Sequence, residues 1–538
     1  MSGPGFPEFP VEWEQPEDAS LFWIRDVLHH PEQVRPLAGD LVKVVFEDGA
    51  NDALEAYALP LSLRRLCTHG YCYTATVPVG SLDGAEHKVR ETVDRMGQLW
   101  MGEWLPEIQG HLAFWEAFDL DAAPRAALIN HLEETVARSR RLGAVHFLAT
   151  IPGLLATSEF EDLYAEILGA RLEAHDLLQG LNTKMAEMRD SVARLGDTAR
   201  RTDSVRRLLA DGPLDRVMTK LSDTPDGSRF ATAVHTFLGT YGQRAANGWD
   251  VDHPSWIEDP SPLLSMLKTA PASQPQSIAT AAAKREDMVR ATWGRISGDS
   301  QEERFRELFL AARVSAVIKE DHNFWIDFAA PYRVRRVIQA WGRQLAQEGA
   351  LNRADDVFWL TLTELRAAAA SPAGVVRHEA TVDRRREDAA RYRTITPPSR
   401  MGTPPTGPLP DSPITRALGK VFGGPRPQVV ENRLEGVAAS RGLVQGPVRI
   451  LARPEEGSLL RSGEILVART TSPSWTPLFA VAAAVVTDVG GILSHSAVVA
   501  REYGIPAVVA TGMATTLLSN GQLVEVDGTA GTVTILRP

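Results

Sequence analysis

Cysteine is nearly absent. The 538 residues hold two, Cys67 and Cys72, too few for a disulfide framework. Their C-x4-C spacing, with no second pair, makes no structural zinc site. A surplus of positive charge is missing as well. Lys and Arg number 57 against 68 Asp and Glu, a formal net charge of −11. That argues against a general nucleic-acid binder, whose affinity comes from neutralising phosphates. No apolar run approaches the ~18 residues of a membrane span; the longest near the C-terminus, Leu478–Val486, stops at Thr487-Asp488. Met1–Pro16 has neither the basic nor the apolar stretch of a signal peptide. A Walker-type G-x-x-x-x-G-K-[ST] is lacking too. The expectation is a cytoplasmic protein that binds neither nucleic acid nor membrane and holds no metal site of its own.

What is present is ordinary for a globular chain: 44% hydrophobic and 23% charged residues, over a length that suits roughly three to four domains. Pro16-Glu17-Asp18 reads as a helix start, because proline and acids suit the first turn. Leu41–Glu47 and Tyr71–Val79 read as strands from their β-branched and aromatic content. From about 87 to 390 the period is helical: Val89, Val93, Met96 and Trp100 share a face, as do Leu128, Leu132 and Val136. Seven prolines between Pro397 and Pro413 then remove helix and central-strand options. Residues 394–430 are therefore expected to be an extended linker, reaching on the order of 100 Å at ~3.1 Å per residue, or else a loop lying on the surface. A short helix is expected at Ile414–Phe422. Beyond Leu434, strand-like runs (446–451, 464–468, 484–487, 507–510, 523–526, 532–536) alternate with short helical pieces. The fold class expected is multidomain: a mainly α-helical domain over 1–393, the linker 394–430, and a compact α/β domain over 431–538.

One stretch of the last domain carries chemistry. A buried strand ends at Thr487, Gly490-Gly491 turns with room for close backbone approach, and Ser494 is placed to cap a helix that Gly504 stops. His495 then sits in the first helical turn, where free N–H groups and the positive end of the dipole disfavour imidazolium and favour an anion. A neutral imidazole is the nucleophilic form. A phosphoryl group on it would meet loop N–H donors and the hydroxyls of Thr487, Ser494 and Ser496. His495 is the candidate catalytic residue, and Thr487, Gly490, Gly491, Ser494 and Ser496 are the candidate phosphate-binding set. The plain alternative is an ordinary histidine at a helix N-terminus.

The run from Thr487-Asp488 through Gly490-Gly491, Ser494-His495 and Ala500-Arg501-Glu502 to Gly504-Ile505-Pro506 resembles the swivelling phosphohistidine domain of PEP-utilising enzymes. The flanks Leu434–Val448, Ser472–Phe479 and Val526–Val533 are similar to the same domain. The resemblance implies that His495 is the phosphorylated histidine. Residues 1–390 more weakly resemble the acceptor-binding helical domain of rifampicin phosphotransferase, through Leu177–Gly180, Tyr241-Gly242, Arg244, Trp256, Glu258–Pro260 and Asp355–Leu360. Neither the ATP-grasp domain nor the PEP/pyruvate barrel of the larger relatives is seen, so PEP is not expected as donor or product. The arrangement resembles the split phenol dikinases of the phenylphosphate-synthase kind. It implies a hetero-oligomer in which a separate ATP-grasp subunit, using ATP and Mg2+, charges His495. The phosphoryl group would then pass to a small phenolic acceptor, giving an aryl phosphate with AMP and phosphate. The alternatives are an antibiotic phosphotransferase subunit of rifamycin type, or a non-catalytic regulatory protein that kept the carrier domain.

The acceptor side offers further candidates. Glu320 or His322 suits a base, and Arg335 or Arg336 a phosphate clamp, on a helical segment that equally reads as a solvated charged face. Arg244 suits anion binding or a structural pair with Glu258 or Asp259. Trp100, Trp104 and Trp115 fit a pocket for a flat acceptor, or plain core packing. Arg501-Glu502 suits a docking or phosphate-orienting pair, though Arg501, a turn and a half from His495, is expected to pair at the surface rather than to touch that histidine.

Overall fold

A computed structural model describes residues 9–27, 29–80, 84–169, 171–211, 214–245, 249, 251–269, 278–371, 376–404, 412–422, 429–430, 432–472 and 475–536. Its contacts group the chain into two compact units: Met1–Ile151 with Asn247–His253 and Trp325–Leu409, and Pro152–Ala246 with Pro254–Phe324 and Pro410–Pro538. This grouping cuts the chain elsewhere than at the expected borders 393 and 430. The helical segment is divided between the units, and the second unit joins its middle, Pro152–Ala246 with Pro254–Phe324, to the α/β domain. No helix among the described residues is long and apolar enough to cross a membrane.

The first unit carries a four-stranded antiparallel sheet in the order Leu61–Thr68, Tyr71–Pro78, Trp23–Arg25, Arg400–Met401. Its core gathers Phe9, Trp23, Leu66, Tyr71, Tyr73, Tyr392 and Met401. Cys67 and Cys72 are cross-strand partners and are joined by a disulfide, a single hairpin staple rather than a framework. The expected strand at Leu41–Glu47 is helical instead. A helix Pro36–Lys43 runs through a π-type stretch, Val44–Gly49, into the helix Ala50–Ala56. Leu41, Val42, Val45 and Phe46 are all buried, at spacings that share one helix face, so burial of that face overrides the strand preference of β-branched residues. Trp100, Trp104 and Trp115 are buried core residues, and the Trp115 indole donates to Thr135 Oγ1 at 2.9 Å.

The proline-rich stretch 394–430 is not a free tether over its described residues. Arg400–Met401 pairs with Trp23–Ile24, and Tyr73 Oη donates to the Pro398 carbonyl at 3.0 Å. Proline removes N–H donors but leaves carbonyls and its non-proline neighbours able to bond at a sheet edge. Pro413–Phe422 is a helix in the second unit, close to the one expected. There Lys420 Nζ meets the Ser158 carbonyl at 3.0 Å, Asp162 at 2.9 Å and Glu161 at 3.2 Å.

The second unit pairs a helical bundle with a nine-stranded sheet. The sheet order is Val429–Val430, Arg433–Glu435, Thr532–Ile535, Leu523–Asp527, Leu443–Ile450, Ile465–Ala468, Ala484–Thr487, Ala507–Val509, Val437–Ser440. Leu443–Ile450, Ile465–Ala468, Ala484–Thr487 and Ala507–Val509 run parallel. Ile465, Val467, Ala484 and Val486 face one core layer, and Leu466, Ala468 and Val485 face the other. Burial on both faces explains why Ala484–Thr487 has no polar alternation. The helix His495–Tyr503 follows that strand and packs through Ala497, Val499 and Ala500 against one layer. In the bundle, Phe160, Leu163, Tyr164, Phe305 and Phe309 form a core between the end of Arg125–Leu168 and the helix Asp299–His322.

Candidate functional site

The loop 488–494 leaves the carboxyl end of a central parallel strand, the place where open α/β sheets bind ligands. Its anchors come from neighbouring segments of the same domain. Asp488 is buried and accepts from Thr511 Oγ1 at 3.2 Å, the Thr515 amide at 3.2 Å and the Thr515 hydroxyl. Thr487 Oγ1 donates to the Val489 carbonyl at 3.0 Å, and Ser496 Oγ lies 2.8 Å from Thr471 Oγ1. Gly490 takes φ +133°, and a Cβ there would come within 2.9 Å of Ser494 Oγ. Both facts demand glycine. Gly491 is buried beside it, and its carbonyl accepts from the Ser494 amide at 3.0 Å.

Ser494 occupies the N-cap and Gly504 the left-handed C-cap, at φ 66°. Yet the Ser494 hydroxyl makes no capping bond, and it is a buried oxygen without a hydrogen-bond partner among the described residues. A phosphoryl group on the neighbouring imidazole would supply that partner, beside the first-turn N–H groups of His495, Ser496 and Ala497 that no helix satisfies internally. The residues present fit such a group.

His495 is half-buried, its Nε2 lies 3.3 Å from Thr476 Oγ1, and its ring stands edge-on to Phe479 at 6.5 Å. Burial, then Lys319, then Arg244 hold the imidazolium down to a pKa of about 3. The ring is therefore neutral at physiological pH, the nucleophilic form. Thr476 belongs to the flanking stretch Ser472–Phe479, and its place beside Nε2 follows only from the fold. Pro473 and Ser474, from the same segment, lie outside the described residues.

Two bundle cations stand near this ring. Lys319 donates from Nζ to the Leu493 carbonyl at 2.8 Å, and burial lowers its pKa. Arg244 is fully buried, lies 4.7 Å over the Trp256 ring and donates to Met188 Sδ at 2.7 Å; burial brings its pKa to about 9. Glu320 is buried beside Lys319, and burial together with Glu502 raises its pKa. Arg189 reaches Glu502 at 3.5 Å and lies 5.6 Å over the Tyr503 ring. Arg189 lies some three hundred positions from Glu502 and Tyr503, so the linear sequence does not show that they form one seam. Arg501, expected at the surface, is buried and donates to the Ala439 carbonyl at 2.8 Å and the Ile492 carbonyl at 3.0 Å. It clamps the loop that precedes His495.

The remaining candidates separate. His322 is buried, with Nδ1 3.0 Å from the Ile318 carbonyl of its own helix. Arg335 and Arg336 belong to the first unit. Arg335 is buried, donates to the Val251 carbonyl at 3.0 Å and lies over Phe358, and Arg336 pairs with Glu116 at 3.1 Å. Of the proposed acceptor-side set, Glu320 and Arg244 share the second unit's charged seam with His495. What the arrangement can do chemically is present a neutral imidazole to a phosphorus atom, with Lys319 and Arg244 to balance charge and a carboxyl able to take a proton.

Comparison with known proteins accords with these parts. Residues 460–531 match the PEP-utilising enzyme mobile domain, and residues 146–320 match the rifampicin phosphotransferase fourth domain. A chondramide synthase of Chondromyces crocatus is 34% identical over 98% of this chain and 14% of that protein. An uncharacterized phosphotransferase of Bacillus subtilis is 30% identical over 73% of this chain and 47% of that protein. The rifampicin phosphotransferase of Streptomyces sviceus is 30% identical over 73% of this chain and 44% of that protein. The chain thus spans less than half the length of these relatives. It carries a PEP-utilising mobile domain centred on His495, and ahead of it a helical segment homologous to that of the rifampicin phosphotransferases.

Proposed function

We propose that this chain is the carrier and acceptor portion of a phosphotransferase, in which His495 takes a phosphoryl group from an ATP-handling ATP-grasp partner and passes it to a hydroxyl. The observation that carries the reading is a neutral imidazole at a helix N-terminus, beside an unpartnered Ser494 hydroxyl and next to Lys319 and Arg244. In the transfer step the N–P bond breaks and its electron pair stays on the imidazole. An O–P bond forms to the acceptor, and the hydroxyl proton goes to the minor carboxylate form of Glu320, which its raised pKa makes a stronger base than an ordinary glutamate. Lys319 and Arg244 stabilise the charge on the transferring oxygens. A phenol suits the acceptor role, because an unperturbed pKa near ~10 lets nearby cations yield a phenolate. In this reading ATP and Mg2+ act in the partner, which releases AMP and phosphate, and the enzyme is a cytoplasmic hetero-oligomer.

A second reading rests on the match along nearly the whole chain to a synthase. The acceptor hydroxyl then belongs to a compound under assembly rather than to a free phenol. A panel of phenols and hydroxylated natural-product precursors separates the two. The test of the common core is His495→Ala. Intact-mass measurement of the chain with its ATP-grasp partner and ATP is expected to show an added phosphoryl group in the native protein and none in the variant. Turnover is abolished while acceptor binding survives. Normal turnover by the variant would overturn the reading.

A further inference from the structure

The motif Asp355–Leu360 is left over by this reading. It lies in the first unit, at a cavity of about 550 Å³ lined by Arg35, Arg353, Arg386, Arg393, Asp355 and Trp359. That volume lies in the range of small-molecule sites, but the lining is unusual for so acidic a protein: four guanidiniums and one carboxylate. Trp359 spaces two of the cations. Arg35 and Arg386 have Cζ 5.8 and 5.9 Å from its ring centroid, and Arg35 is also 5.6 Å from that of Phe358. Most counter-charges lie behind the wall, with exposed Asp383 also 3.7 Å from Arg386. Buried Asp252 holds Arg35 at 3.5 Å, and buried Asp356 is shared by Arg386 and, at 3.8 Å, Arg353. Arg393, exposed at the cavity, makes no side-chain hydrogen bond or ion pair among the described residues.

Two buried carboxylates thus fix three guanidiniums, and a fourth stands ready with none. Planar, permanently charged forks match phosphate oxygens in pairs. A bare phosphate is far smaller than this space, so the ligand needs an organic body. We propose that this cavity is a second binding site, for a small organic phosphate, separate in residues from the His495 site. It stands independently of the phosphotransferase reading.

The test is equilibrium dialysis of the full chain at low ionic strength, with AMP and phenyl phosphate as probes and adenosine, phenol, benzoate and inorganic phosphate as controls. The expected result is that at least one organic phosphate binds about tenfold or more tighter than every control, and that Arg393→Gln loses about tenfold of that affinity. The melting temperature of Arg393→Gln should be unchanged, since the side chain holds nothing else. AMP binding best assigns a nucleotide site, and phenyl phosphate binding best an aryl phosphate site. Benzoate or inorganic phosphate binding as tightly, affinity unchanged in Arg393→Gln, or affinity lost in Lys319→Met but kept in Arg393→Gln would each overturn the proposal.

Discussion

At the scale of the residue, Ser494 separates a structural role from a chemical one. An N-cap serine replaced by alanine usually costs about 0.5–2 kcal/mol. Here the hydroxyl caps nothing, and removing an unsatisfied buried hydroxyl is close to neutral. Ser494→Ala is therefore expected to shift stability by less than about 0.5 kcal/mol in urea titration. The same variant is expected to slow phosphoryl transfer about tenfold, the worth of one hydrogen bond to a charged group. A large stability loss with unchanged transfer would make Ser494 an ordinary cap. That the serine stood at the helix start was legible in the sequence. That its oxygen was left without a partner was not, because hydroxyl pairing depends on loop geometry.

At the scale of the element, the loop 488–494 is held from outside by Arg501, on the helix that the loop itself opens. The side chain ties the Ile492 carbonyl to the Ala439 carbonyl of a neighbouring strand. Helical spacing alone put Arg501 about a turn and a half from His495 and suggested the surface. The sheet brings Val437–Ser440 alongside and buries the arginine. Arg501→Met keeps the apolar stem and removes both donors. It is expected to cost about 1.5–3 kcal/mol in chemical denaturation, and to lower phosphoenzyme formation even where the protein remains folded. The failed strand at Leu41–Glu47 belongs to this scale too. Five apolar residues in seven suit either period, and only the packing of one face decided for helix.

At the scale of the whole chain, charges from distant segments meet within the second unit. Lys319 and Glu320 come from one helix, Arg189 from another, and Glu502 and His495 from the mobile domain. Burial raises Glu320 above its ordinary 4.5 and lowers His495 below its ordinary 6.5. The signs differ. Glu320 contributes stability that is full below about 4.5 and is lost as pH rises through its raised folded value. His495 contributes stability that is full above about 6.5 and is lost as pH falls toward its folded value. The melting temperature of the unit is expected to pass through a maximum between these limbs, measured by calorimetry across pH. Glu320→Gln should reduce the alkaline limb, to which buried Glu502 also contributes, and leave the acid one. An unchanged alkaline limb would mean that Glu320 is ionised in the folded protein.

The sequence by itself determined the carrier element. The buried strand 484–487, the Gly490 turn, His495 in the first helical turn and the stop at Gly504 are neighbours along the chain, and their chemistry follows from local backbone geometry and the helix dipole. It also determined that helices dominate the middle of the chain. Only the tertiary structure decided which cations lie near that histidine. Arg244 and Lys319 joined His495, while Arg335 and Arg336 found partners in the other unit. It likewise decided that Pro398, beside the first unit's sheet, and Pro413, at a helix start, are held rather than free. The physical reason is the same in each case: burial and charge pairing act between residues brought together by packing, and a linear pattern does not record which faces meet.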